Sequence, residues 1–291
     1  MTKFVAVDIG NTAIKLGQFS IGPKASVPAP TRVWDFRFES GQWLSRLADS
    51  TEPSGTHAPL TETTGWNEMV AALGTEPTIW FVSSVHRARE RQLAGWLADT
   101  RPVDRYRRLT HCDVPLAMEV DFPERVGFDR LATAVAADRL RPPAVPAIVV
   151  DAGTALKVHA VTAQGTFVGG AILPGYHLAG RALAVETDLL PQIGVSSRDP
   201  APVALGRNTE AAIRSGLYWG FVGAARELVT RISGELEGDP IVFVSGGDAK
   251  GLVPYLGNAA RYVSDMCLVG IAVLAQPMLQ QRSGSRNEAI E

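Results

Sequence analysis

Apolar residues alternate with small or polar ones along VAVDIG and again along AIKLGQF, and only Asn11 and Thr12 separate the two stretches. A period of two predicts half-buried strands, and the Gly10-Asn11-Thr12 break predicts that they fold back as a hairpin. WDFRF, residues 34–38, is a third candidate strand; TIWFVSSV reads as a buried strand, RARERQLAGWLADT as an amphipathic helix and RYRRLT as a short strand. GFDRLATAVAADRLR carries the three-to-four apolar spacing of a helix, which Pro142 and Pro143 end. Between Glu39 and Gly74 the chain is rich in Ser, Thr, Pro and Gly, with short helical patterns at WLSRLA and WNEMVAAL.

After RPPAVPA the pattern starts again: AIVVDAGTALKVHAVTAQGTFVGGAILPG predicts three strands joined by Gly-containing turns. Asp8 closes one apolar strand before Ile9-Gly10-Asn11-Thr12, and Asp151 closes another before Ala152-Gly153-Thr154-Ala155, 143 positions later in a chain of 291. Such spacing predicts a duplicated unit. Helical text follows at Leu178–Leu190 and Thr209–Glu235, then the strand PIVFVSGGD and a helix from Met266 to Leu279; the polar end QQRSGSRNEAIE is expected to fray. The expectation is an α/β protein of two lobes, cut at RPPAVPA into residues 1–143 and 144–291.

Composition narrows the function classes. A formal charge of −2 and a pI near 6.2 give no reason to expect a nucleic-acid partner, and the basic run Arg101 to Arg108 reads as a solvated face. Cys112 and Cys267 are too few and too far apart for a disulfide framework or a cysteine-rich zinc site within one chain, which fits a reducing compartment. The five histidines show no helix spacing that pairs two as metal ligands. MTKFVAVDIG lacks the pattern of a signal peptide and no run of 18 apolar residues follows, so the expectation is a cytoplasmic protein without a membrane span.

The two Asp-x-Gly turns suit a nucleoside triphosphate. Glycine lets backbone amides approach phosphate oxygens, Asn or Thr adds donors, and the aspartate would act through a cation or its water shell. The alternative is that Asp8 and Asp151 only shape turns at strand ends; for Asp129, the alternative to a chemical role is capping a helix that begins at Arg130.

Five motifs in order, Asp8-Ile9-Gly10-Asn11-Thr12, Gly127-Phe128-Asp129-Arg130, Asp151-Ala152-Gly153-Thr154-Ala155, Gly169-Gly170-Ala171-Ile172-Leu173-Pro174-Gly175 and Gly206-Arg207-Asn208-Thr209, resemble the type III pantothenate kinases from Val5 to about Ala275. The resemblance implies the duplicated fold of the acetate and sugar kinases and actin: two ribonuclease-H-like lobes with ATP in the cleft between them. It implies that Asp8, Ile9, Gly10, Asn11, Thr12, Ala13, Ile14 and Lys15 form a first phosphate loop, that Thr154 contacts ATP from the second, and that Ser245, Gly246 and Gly247 lie near the adenosine. Gly127, Phe128, Asp129 and Arg130 would hold pantothenate, with Asp129 as general base on its primary hydroxyl. Thr209 would reach the pantothenate of a neighbouring subunit in a homodimer, Mg2+ would accompany ATP, and Asp151 would bind a monovalent cation, K+ or NH4+.

The chain departs from the family at three places, one of them the segment from Pro23 to Gly65, which is longer and more irregular than the family needs. Val120 stands where an aromatic residue usually helps to enclose pantothenate. Lys157, Val158 and His159 stand where Thr, a branched residue and Asp usually follow the second turn. An ammonium so close to Asp151 opposes a bound cation, and the hypothesis is that Lys157 takes the place of potassium. Two other functions stay open: phosphorylation of another small hydroxyl compound on the same fold, and a non-catalytic role like that of an accessory factor in transcriptional activation.

Overall fold

A computed structural model of the protein describes residues 2–21, 27–37, 64–194 and 199–284. The helix expected at WLSRLA and most of the irregular stretch from Pro23 to Gly65 lie outside them, as do the last seven residues.

Strands β1 (Thr2–Ile9), β2 (Ala13–Ile21) and β3 (Arg32–Arg37) form an antiparallel meander. On the other side of β1, β4 (Ile79–Ser84) and β5 (Arg105–Arg108) add in parallel, giving the order β3-β2-β1-β4-β5. The hairpin is more deeply covered than its alternation suggests, because both faces of β1 are buried. Val5, Val7 and Ile9 join a core with Trp66 and Met69 of α1 (Thr64–Leu73), Trp80, and Leu93 and Leu97 of α2 (Arg87–Thr100). On the opposite face Phe4 stacks on Phe19 at 5.4 Å between ring centres and meets Phe81 edge-on at 5.7 Å. Each large side chain removed from water in this way contributes about 1.5–3 kcal/mol.

The basic run is only partly solvated. Arg105, Arg107 and Arg108 are exposed, but Arg101 is buried. It donates to the carbonyls of Gly74 (2.7 Å) and Glu76 (3.1 Å) and pairs with Asp104, which also accepts from Trp80 Nε1 at 2.7 Å and from the Thr78 amide at 2.9 Å. A charge can leave water when its donors are met in this way.

The same plan recurs in the second sheet. Strands β7 (Ala147–Ala152), β8 (Ala155–Val161) and β9 (Thr166–Pro174) form an antiparallel meander, and β10 (Ile241–Ser245) and β11 (Ala260–Tyr262) extend it in parallel on the β7 side. The short β6 (Ala117–Met118) pairs with β9, so the order is β11-β10-β7-β8-β9-β6. One face, with Ile148, Val150, Leu156 and Val158, packs with Ile213, Leu217 and Phe221 of α5 (Thr209–Glu235), with Tyr176 and Ala179 of α4 (Tyr176–Glu186), and with Ala249 of α6 (Ala249–Leu252). On the other face His159 is buried, and its Nε2 lies 3.1 Å from Thr133 Oγ1 of α3 (Phe128–Leu140).

The chain divides into two compact units: Met1–Val114 with Gly127–Ala132 and Cys267–Glu291, and Pro115–Val126 with Thr133–Met266. This differs from a single cut at 143/144. α3 starts in the first unit, where Phe128 and Leu131 are buried, and continues in the second, where Thr133 bonds to His159. The helix α7 (Met266–Gly284) returns from Cys267 to the first unit, where Leu268 lies over Gly17 of β2.

Candidate active site

In the first unit the β1–β2 register sets Asp8 opposite Lys15 and Ile9 opposite Ile14, and the Gly10 amide donates to the Ala13 carbonyl at 2.9 Å. This closes a tight turn whose Asn11 and Thr12 face solvent while Ile9 and Ile14 anchor it in the core. Ala13 and Lys15 are half-buried beyond it. The Val85 amide then donates to the Ile9 carbonyl at 3.0 Å, tying the end of β4 to the base of the turn. Val85 also borders Gly127: a β-carbon at 127 would stand 3.8 Å from Val85 Cγ1 and 2.6 Å from Asp129 Oδ1. Val85 thus joins the first turn to the start of α3. It was not among the candidates, and nothing in an apolar residue at a strand end announces such a part.

Asp129 does not cap a helix that begins at Arg130. The helix starts at Phe128, and Asp129 sits inside its first turn with its carboxylate folded back over Gly127 and accepting from the Arg130 amide at 2.9 Å. The Gly127 carbonyl accepts from the amides of Arg130 (3.0 Å) and Leu131 (3.3 Å). Phe128 is buried and Arg130 half-buried, and that burial lowers the proton affinity of the Arg130 guanidinium while the adjacent Asp129 carboxylate opposes the shift. An acceptor and a donor of opposite charge therefore stand side by side at a helix start.

In the second unit two segments, those of Gly175 and Asp248, converge on the second turn. Its Gly153 amide donates to the Ala155 carbonyl at 3.1 Å, and the Thr154 carbonyl accepts from the Gly175 amide at 3.0 Å. The Asp248 amide donates to the Ala152 carbonyl at 3.0 Å. The approach is close enough to require glycine at both neighbours: a β-carbon would stand 2.1 Å from the Gly153 carbonyl oxygen at position 175 and 2.2 Å from that of Ala152 at position 246, where φ is +102°. Thr154 and Gly246 are half-buried and Gly247 is exposed beside them. Gly175 was not singled out as a site residue, although the glycine closing GGAILPG is a signal that could have found it.

Asp151 lies one strand position before Ala152 and directly opposite Lys157, and Lys157 Nζ is 2.6 Å from Asp151 Oδ2, with the two side chains 15% and 18% exposed. A second cation on the same carboxylate would stand about 4 Å from Nζ, where like unit charges repel by about 4 kcal/mol at the dielectric of a partly buried site. The donor set at Asp151 does not fit a free potassium ion. Among the described residues no group of three or more His, Cys, Asp or Glu could hold a metal ion.

The other two candidates also lie in the second unit. Val120, half-buried, stands beside Gly169 of β9. Thr209, exposed, begins α5 behind Asn208, whose side chain caps the helix by accepting from the Ala211 amide at 2.8 Å. It lines an open groove of about 1050 Å³ between α4 and α5, whose lining runs from Pro174, next to Gly175, to Leu217.

Comparison with known proteins gives the chain a family. A sequence profile of type III pantothenate kinase matches residues 4–231. The chain is 36% identical over 277 residues to a type III pantothenate kinase of Rhodopirellula baltica, covering 93% of this chain and 97% of that protein. It is 32% identical to one of Saccharopolyspora erythraea over 276 residues, with the same two coverages. Among solved structures, a putative 2-dehydro-3-deoxygalactonokinase of Sinorhizobium meliloti superposes with a TM-score of 0.52 over 94% of this chain and 99% of that one at 16% identity, a likeness of fold. With a matched profile over most of its length and relatives at this identity over nearly all of it, the chain belongs to the type III pantothenate kinase family.

Proposed function

We propose that the protein transfers the γ-phosphoryl group of ATP to the primary hydroxyl of pantothenate, the first step toward coenzyme A. The observation that carries this reading is the linkage, inside the first unit, of the Asp8–Lys15 turn through Val85 to Gly127 and the Asp129 carboxylate. Phosphoryl transfer asks a protein mainly for alignment and charge neutralisation, so backbone donors, a metal and one hydroxyl-orienting carboxylate suffice. In this reading Asp129 accepts the hydroxyl proton as the pantothenate oxygen bonds to the γ-phosphorus and the bond to the ADP oxygen breaks. Arg130 pairs with the pantothenate carboxylate, as guanidinium forks do.

Gly10, Asn11 and Thr12 meet one part of the triphosphate, Thr154 another, and Gly246 and Gly247 the adenosine. Mg2+ takes one or two protein carboxylates and draws its other ligands from phosphate and water, a demand that half-buried Asp8 at the turn base suits; the ion would neutralise phosphate charge. No potassium step enters, since Lys157 already pairs with Asp151. The working form is a cytoplasmic homodimer in which Thr209 completes the partner's pantothenate site. Exposed apolar side chains at the groove margin support the dimer; among the described residues no helix is long and apolar enough to cross a membrane.

The test separates binding from chemistry. Asp129→Asn should retain ATP affinity within about threefold by calorimetry and lose about 10²–10⁴ in pantothenate-dependent ADP release, the range of general-base catalysis. Equal loss of both with the fold intact removes Asp129 as the base. Turnover of the native protein with another alcohol but not with pantothenate would instead point to Val120 as the mark of a different acceptor.

A further inference from the structure

We infer that Lys157 is a built-in cation at the second phosphate turn and makes turnover independent of any free monovalent cation. The inference rests on the proposed phosphoryl transfer and adds to it how the turn is held and neutralised.

Asp151 and Lys157 face each other across the β7–β8 ladder, so their backbones are fixed by the strand register before the side chains meet. Their 2.6 Å contact is largely removed from solvent, where an ion pair is not screened as it would be on the surface. Neither end is free to drift. Asp151 also pairs in register with Ser245 of β10, and the turn beyond it is bracketed by Gly175 and Gly246. Two residues past Lys157 on the same face, His159 is buried and bonded to Thr133, which pins β8 from the side of α3.

The first hairpin supplies an internal precedent. There Asp8 stands directly opposite Lys15, as Asp151 stands opposite Lys157, so both copies of the duplicated unit set a lysine across the ladder from the aspartate that ends the first strand. An acidic residue at a phosphate-binding turn repels the triphosphate unless a positive charge accompanies it. At the second hairpin, where Lys157 Nζ meets Asp151 Oδ2, the chain carries that charge covalently.

The experiment uses the full chain and three salts at equal ionic strength: choline chloride, potassium chloride and ammonium chloride. Pantothenate-dependent ADP release of the native protein should agree among them within about twofold, since matched ionic strength leaves only specific ion effects. Activation by potassium or ammonium of about tenfold or more overturns the inference. Lys157→Met removes the charge at similar length; it should lose about tenfold or more in choline and recover most of that in potassium or ammonium as the ion enters the space vacated by Nζ. A loss that neither ion repairs also overturns it.

Thermal unfolding gives a readout without turnover, on Lys157→Gln as well as Lys157→Met. The native midpoint should be the same in choline and potassium, and the variants' midpoints should rise in potassium or ammonium only. A native midpoint raised by potassium over choline refutes the built-in cation. If no salt gives turnover with pantothenate, the proposed function fails while the unfolding comparison still decides the cation.

Discussion

At position 127 the absence of a side chain decides where a carboxylate lies. Asp129 Oδ1 occupies the volume that a β-carbon would need, so Gly127→Ala must push the carboxylate away from the Val85 side. A displacement of about 1 Å in a reacting group costs on the order of a hundredfold in rate. Single-turnover measurement should show that loss with ATP affinity unchanged, while unfolding free energy falls by only about 1–2 kcal/mol, because Gly is better tolerated than Ala just ahead of a helix start. An unchanged rate would mean that Asp129 takes no part in the chemistry. Arg130 can be tested through its geometry instead of its charge. Arg130→Lys keeps a cation but loses the planar fork, so KM for pantothenate should rise roughly tenfold or more while kcat changes less. A fall in kcat alone would move Arg130 from substrate anchoring to the transferred phosphate.

Among the elements, the glycine contacts of the second turn act through backbone. Gly246→Ala would press a methyl into the Ala152 carbonyl and strain a residue at φ +102°, so a loss of about 1–3 kcal/mol in stability is expected, with weakened nucleotide binding where the protein still folds. Denaturant titration with and without ATP checks both. The start of α2 offers a pH test. The His86 ring accepts from the Arg89 amide, and burial, aided by the Arg89 guanidinium and opposed by a backbone hydrogen bond, holds its imidazole below the usual value. The unfolded chain then takes the proton first as pH falls. Stability supplied by the neutral cap is complete above the ordinary imidazole value and is lost on descending through it toward the lower folded value. His86→Asn keeps an acceptor that does not titrate, so between about pH 7.5 and about 5.5 its denaturation midpoint should fall less than the native one. Parallel slopes would show that His86 is not the titrating group. Elements of this length were legible because period and punctuation agree: the hairpins, α2, α3 and α5 stand where their text put them. β6 and β11, of two and three residues, carry no period to detect, and Val85 and Gly175 matter through neighbours far along the chain, which a local pattern does not contain.

For the whole molecule the recurring sheet plan explains how a likeness of fold extends to a protein only 16% identical: two meanders, each extended beyond its first strand by two parallel strands, can be kept by apolar patterning alone. What patterning does not explain is the apolar surface at the α4–α5 groove. Leu189 is 87% exposed and Leu205 79%, and Val185 and Val203 are exposed in the same two stretches, an arrangement that a lone soluble chain has reason to avoid. The proposed homodimer would cover this surface and would carry Thr209, at the groove's lining, toward the partner's substrate. The double substitution Leu189→Asp with Leu205→Asp alters no core position, so circular dichroism and unfolding should stay native-like. Sedimentation should shift from dimer to monomer at micromolar protein, because two buried carboxylates per subunit would face apolar surface without partners. If Thr209 acts across the interface, KM for pantothenate should rise with that dissociation while ATP affinity holds, and raising protein concentration should restore it. A variant that remains dimeric, or a monomer with native KM, would show that each chain completes its own site.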